Sequence, residues 1–215
     1  MNVSACNRID GTVAELKKGK ATTDVRLTSD LGDIKLVVTS SAIEALALAP
    51  GDRVSALFRE VDVMLMSGAG AISTCNRFPG RILDIKKGTV TAELPLDVGG
   101  GRRIVAVIAR AAAEEMNLAV GDTVVACVRE GDLLLAKGDA LSIRNRVAGT
   151  ITNLRPGTVT TELTIATADG EVYALLARSV ADDMKLAVGE RINALMRERD
   201  FLVQRLPQRS DSSDR

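Results

Sequence analysis

An eight-residue unit, S-x-C/R-N-R-Φ-x-G with Φ apolar, occurs three times in this chain. It reads Ser4-Ala5-Cys6-Asn7-Arg8-Ile9-Asp10-Gly11, Ser73-Thr74-Cys75-Asn76-Arg77-Phe78-Pro79-Gly80 and Ser142-Ile143-Arg144-Asn145-Arg146-Val147-Ala148-Gly149. The three serines keep a constant step of 69 residues, as do Gly19, Gly88 and Gly157. A period held this tightly means one small domain copied three times. The units fall at residues 1–70, 71–140 and 141–206. The Ser- and Asp-rich tail 207–215 is expected to be disordered. A unit of this length buries only roughly 60% of its unfolded surface and is marginal alone. The repeats should therefore pack on one another or on a second chain.

Each repeat reads as strands around one short helix. Alternating apolar residues from Ile9 to Leu16 lead to Lys17-Lys18-Gly19. Repeat three has Pro156-Gly157 at that point, the pair for positions i+1 and i+2 of a type II turn. Returning strands rich in Thr and Val follow at 21–27, 90–96 and 159–165. Third strands lie at 34–38, 104–108 and 172–176. Ser41-Ala42-Ile43-Glu44 has capping-box spacing, with Ser41 as the cap. Gly51, Gly121 and Gly189 are expected to stop the three helices in the left-handed conformation. Val54, Ala56 and Phe58 then share one strand face, which should be core, with Arg59 opposite. A last strand runs through 63–65, 133–135 and 201–203. Five strands and one helix per repeat predict an all-β chain of three tandem OB-like Greek-key barrels.

Composition excludes several functions. Lys+Arg and Asp+Glu are both 28, so no broad cationic field recruits nucleic acid or membrane. Phe58, Phe78, Tyr173 and Phe201 are too few for base stacking. There is no histidine, and three cysteines without CxxC spacing fit neither a disulfide framework nor a zinc site. No acid/base pair, nucleophile or metal cage emerges, so an enzyme is not expected. No secretory signal or membrane span is legible, which points to the cytoplasm.

The ordered set of motifs resembles the Mop or TOBE domain. The set runs S-A-x-N, strand, x-G turn, two strands, hydroxyls before a short helix, L-x-L-x-x-G-D and V-x-A-x-x-R/K. That domain occurs in molbindins, which bind molybdate and tungstate. The resemblance covers all but the tail. It implies a binding site for a tetrahedral dianion, made of converging N–H, hydroxyl, amide and cationic donors shared between domains. Carried onto this chain, the implied oxyanion residues are Ser4, Cys6, Asn7, Thr39, Ser41 and Arg59 in repeat one. Repeat two supplies Ser73, Asn76 and Arg129, and repeat three Ser142, Arg144, Asn145, Ser179 and Arg197. Cys6 and Cys75 stand where the family has Arg, and the family Lys is replaced by Arg59, Arg129 and Arg197. Ala109, Ala111 and Ala177 stand where hydroxyls would be. Repeats one and three thus read as half-sites and repeat two as degraded.

Each of these residues also has a plain structural reading. Ser41 and Ser179 could be helix caps. The three asparagines could fix local turns. The three arginines could sit in ion pairs. The family assembles six units, so a three-unit chain is expected to be a homodimer. The expected function is molybdate or tungstate buffering or storage, with no other cofactor. The alternative is a degenerate TOBE-repeat protein that serves as an interaction module without an anion.

Overall fold

The computed structural model describes residues 3–68 and 72–200. Repeat one contains β1 (Asn7–Lys18), β2 (Thr22–Ser29), β3 (Gly32–Thr39), α1 (Ser40–Ala45), β4 (Arg53–Phe58), a 3-10 turn (Glu60–Asp62) and β5 (Met64–Met66). Repeat two contains β6 (Asn76–Ile82), β7 (Lys86–Lys87), β8 (Thr91–Asp97), β9 (Arg103–Ala109), α2 (Arg110–Glu115), β10 (Thr123–Val128), a 3-10 turn (Glu130–Asp132) and β11 (Leu134–Lys137). Repeat three contains β12 (Ala140–Leu141), β13 (Asn145–Pro156), β14 (Thr160–Thr167), β15 (Gly170–Ala177), α3 (Arg178–Asp183), β16 (Arg191–Met196) and a 3-10 turn (Glu198–Asp200). The chain is all-β, with one short helix in each OB-like unit. The expected last strand at 201–203 and the tail at 207–215 lie outside the described residues.

A single curled strand organises repeats one and three, and in repeat two the same path is divided into β6 and β7. The first half of β1 pairs with β4, from Asn7↔Phe58 to Thr12↔Arg53. Its second half pairs with β2, with a register shift between Val13 and Glu15. β13 repeats this pattern, with its shift between Ile151 and Asn153. A bulge bends its strand and increases local twist, so one strand can serve both sides of a small barrel.

Two local expectations fail. The Pro156-Gly157 turn is not type II, because Gly157 is not at positive φ. Glycine is needed for close approach instead: its N–H donates to Thr160 O at 2.8 Å, and a Cβ would stand 2.8 Å from that oxygen. The helix ends are also different. Ala47, Asn117 and Lys185 take the left-handed stop, at φ 44°, 50° and 54°, two residues after each helix. Gly51, Gly121 and Gly189 turn the following loop.

The last strands of repeats one and two are exchanged. β11 of repeat two pairs with β4 of repeat one, through Leu134↔Leu57, Leu135↔Ala56 and Ala136↔Ser55. β5 of repeat one pairs with β10 of repeat two, through Met64↔Cys127, Leu65↔Ala126 and Met66↔Val125. The two registers are equivalent, so repeats one and two form a pseudo-two-fold pair. Their interiors merge into one core that runs from Ile9, Leu27 and Phe58 to Phe78, Leu94 and Val128. Repeat three has its own smaller core around Ile151, Leu163, Ile165 and Val180, joined by Val107 of repeat two.

Candidate functional site

Two of the three motif asparagines, Asn7 and Asn76, join repeats to each other and do not fix local turns. Asn7 Nδ2 donates to Val105 O at 2.8 Å, and Asn7 Oδ1 accepts the Val105 N–H at 2.7 Å. Asn76 does the same to Lys35, at 2.8 Å in both directions. Each side chain thus behaves as one more peptide group on the outer edge of β9 or β3. Both are buried, so the pairing satisfies four polar groups that would otherwise be stranded. Asn145 is half-buried and its side chain makes no hydrogen bond among the described residues.

The arginines meet where the three repeats converge, and each is paired with the aspartate three residues on. Arg59 bonds Asp62 through Nε and Nη2, at 2.9 and 2.8 Å. Arg129 reaches Asp132 at 3.3 Å, and Arg197 reaches Asp200 at 2.7 Å. Arg197 also contacts Asp62 at 3.1 Å and Asp132 at 3.3 Å. Asp62 holds the Arg59 guanidinium even more firmly charged than usual. The sequence placed a glutamate after each arginine, and these have another task. Glu60 accepts the N–H of Cys6 at 3.1 Å, Glu130 that of Cys75 at 2.5 Å and Glu198 that of Arg144 at 3.3 Å. For Glu130, burial opposes the charge, but the bonds from Cys75 and Thr74 bring its carboxyl below the ordinary range. Cys6 meets solvent at one edge, yet desolvation and then the Glu60 carboxylate push its thiol well up. It is a neutral group beside a carboxylate.

A cavity of about 260 Å³ opens beside this cluster and is lined from all three repeats. Repeat one supplies Thr39, repeat two Gly131, and repeat three Ser142, Arg197, Glu198 and Arg199. Thr39 is the N-cap of α1, which corrects the expectation for Ser41; Ser41 is exposed within the first turn. The Thr39 hydroxyl makes no capping bond, and its oxygen is buried without any partner. An unsatisfied buried hydroxyl costs about 1–3 kcal/mol, which an incoming oxygen atom would relieve. Arg199 touches Asp132 through one nitrogen at 3.0 Å and is otherwise half-exposed. It has room because residue 131 is glycine; a Cβ there would collide with its guanidinium.

The remaining expected residues are dispersed. Ser142 is buried and exchanges bonds with Leu135, its Oγ accepting Leu135 N–H at 2.9 Å. Ser4 lines a cavity of about 70 Å³ with Arg59 and Arg197. Ser179 Oγ donates to Glu93 of repeat two at 3.0 Å, so it joins repeats and does not cap. Ser73, Arg129 and Arg144 are exposed. Sequence reasoning missed Arg199 and Gly131. The signal was a departure from the repeat: R-E-V-D and R-E-G-D become R-E-R-D only in repeat three.

Comparison with known proteins follows the same three-unit division. The TOBE domain matches residues 3–65, 72–134 and 141–196. The molybdenum-pterin-binding protein MopA of Rhodobacter capsulatus is 33% identical over 139 residues, covering 63% of this chain and 52% of MopA. Molybdenum-pterin-binding protein 2 of Clostridium pasteurianum is 34% identical over 65 residues, covering 30% of this chain and 96% of that protein. The solved structure of the cytoplasmic molybdate-binding protein ModG with molybdate bound is 30% identical, with a TM-score of 0.61, over 63% of this chain and 99% of that one. The chain spans about half the length of MopA and of the other longer relatives it matches. No helix among the described residues is long and apolar enough to cross a membrane. With a match to each of its three repeats, the chain belongs to the TOBE domain family and carries three copies of the domain in tandem.

Proposed function

We propose that this protein binds molybdate or tungstate in the cytoplasm and holds it without transforming it. The carrying observation is the three-repeat cavity, whose lining brings Thr39, with its buried and unpartnered hydroxyl, together with Arg197 and Arg199. A tetrahedral dianion offers four acceptor oxygens. It would accept the hydroxyl proton and charge-assisted bonds from the guanidinium groups, which are roughly twice as strong as neutral ones. The equivalents of Thr39 are Ala109 and Ala177, so we assign one such cavity to each chain. ModG and the molybdenum-pterin-binding proteins support the choice of anion. Two chains would supply six domains, and we take the working unit to be a homodimer.

The neutralised arginines favour a second reading. Arg59, Arg129 and Arg197 all lean on aspartates, which suits a junction that only holds the repeats together as an interaction module. Thermal unfolding with molybdate, tungstate, sulfate and no anion separates the two. A ligand at about 100 times its dissociation constant adds roughly 2.7 kcal/mol, or several degrees. A rise with molybdate and tungstate but not sulfate is expected. No rise with any anion transfers the assignment to the interaction module.

A further inference from the structure

The charged groups around the three-repeat cavity do not contribute to it equally. Arg59, Arg129 and Arg197 each have an aspartate three residues on, so these cations and anions cancel one by one. Arg197 is the most enclosed of the three, with its side chain 13% exposed, and it contacts Asp62, Asp132 and Asp200 together. A guanidinium among three carboxylates has little net attraction left for a further anion. Glu198 also lines the cavity, with its carboxylate on the Arg144 N–H. Arg199 is the fourth arginine and has no aspartate of its own. It shares Asp132, which also holds Arg129 and Arg197, each at 3.3 Å. Among the charged residues of the lining, Arg197 and Glu198 cancel and Arg199 supplies the surplus charge. Repeats one and two have Val61 and Gly131 at its position. Gly131 is not at positive φ, so its missing side chain serves space and not the backbone: a Cβ there would collide with Nη1 of Arg199.

We propose that Arg199 is the specificity-determining residue of the anion site. It gives up its contact with Asp132 for the bound anion, and it makes the site prefer a dianion to a monoanion of the same shape. The assignment rests on the oxyanion reading above. At one distance a surplus unit charge attracts a dianion twice as strongly as a monoanion. Val38, Leu133 and Leu134 stand in the same lining and bring no polar side chain to weaken that attraction. The exchange costs the fold little, because a half-exposed ion pair is worth little and Asp132 keeps two other guanidinium partners. Gly131 leaves the space in which the guanidinium sits, and alanine there would push it away.

The test titrates molybdate, and perrhenate as a tetrahedral monoanion of similar size, into the full chain by calorimetry. Arg199→Met keeps an apolar stem and loses the charge. It should weaken molybdate about 10-fold and perrhenate only about 3-fold, the ratio that charges of two and one imply. Arg199→Lys should restore most of the preference for molybdate. Gly131→Ala should weaken molybdate in the same direction as Arg199→Met. Melting curves of the anion-free variants should stay close to that of the wild type, which separates a lost charge from a damaged fold. Molybdate binding unchanged in Arg199→Met, or an equal loss for the two anions, would overturn the proposal and leave the oxyanion reading standing. A wild-type chain that binds neither anion would overturn both.

Discussion

A buried hydroxyl without a partner is rare in folded proteins, and Thr39 is one of two among the described residues. The other, Thr161, corresponds to Thr23, whose hydroxyl meets Ser40; repeat three has Arg178 in place of that serine. Thr39 differs in that the residue lines a cavity together with cations. Replacing it with valine should leave the anion-free protein as stable or slightly more so, because an unsatisfied group is removed. The same change should weaken molybdate about 10-fold or more, the worth of one charge-assisted bond; paired melting and titration experiments check both. Asp132 tests the cluster itself. It is buried and contacts Arg129, Arg197 and Arg199. Asp132→Ala should cost about 3 kcal/mol by denaturant titration, since a guanidinium as enclosed as Arg197 loses a counter-charge. Glu130 gives a pH signature. Its carboxyl is lowered by the Cys75 N–H, so its contribution is complete above the ordinary glutamate value of about 4.3 and is lost as pH falls through the lower folded value. Melting temperatures of the wild type and Glu130→Gln should differ near neutrality and converge in acid.

At the scale of elements, the decisive device is an asparagine that imitates a peptide bond across domains. Asn7→Ala would strand the Val105 N–H and C=O, at roughly 1–3 kcal/mol for each group left unmet. Asn76→Ala should cost a similar amount through Lys35. Chemical unfolding of the two variants checks this symmetry. The strands themselves were legible in the sequence, because alternation at Val54, Ala56 and Phe58 marks a core face whatever covers it. The exchange of β5 and β11 was not, because apolar periodicity says that a strand is buried and not in whose barrel. The R-E-x-D spacing was present three times, but an arginine's partner three residues on becomes its neighbour only through the 3-10 turn. The helix caps were misread for a related reason. Ser41 has the right spacing to Glu44, yet β3 runs on to Thr39 and the helix starts two residues earlier than a cap at Ser41 allows.

At the scale of the whole molecule, three copies of one marginal domain are unequal. Two share a continuous interior, and the third leans on them through Val107, the Ser179–Glu93 bond and the arginine cluster. The cavity exists only where all three meet, so no isolated repeat could form it. Its departures from the repeat pattern, Thr39, Gly131 and Arg199, are also the residues that set its chemistry. The account therefore stands most directly on one calorimetric titration of molybdate into the wild-type chain and into Thr39→Val. It predicts saturable binding near one anion per chain for this cavity, weakened about 10-fold or more by the substitution. Wild-type binding that Thr39→Val leaves unchanged, or no binding to either protein, would contradict it.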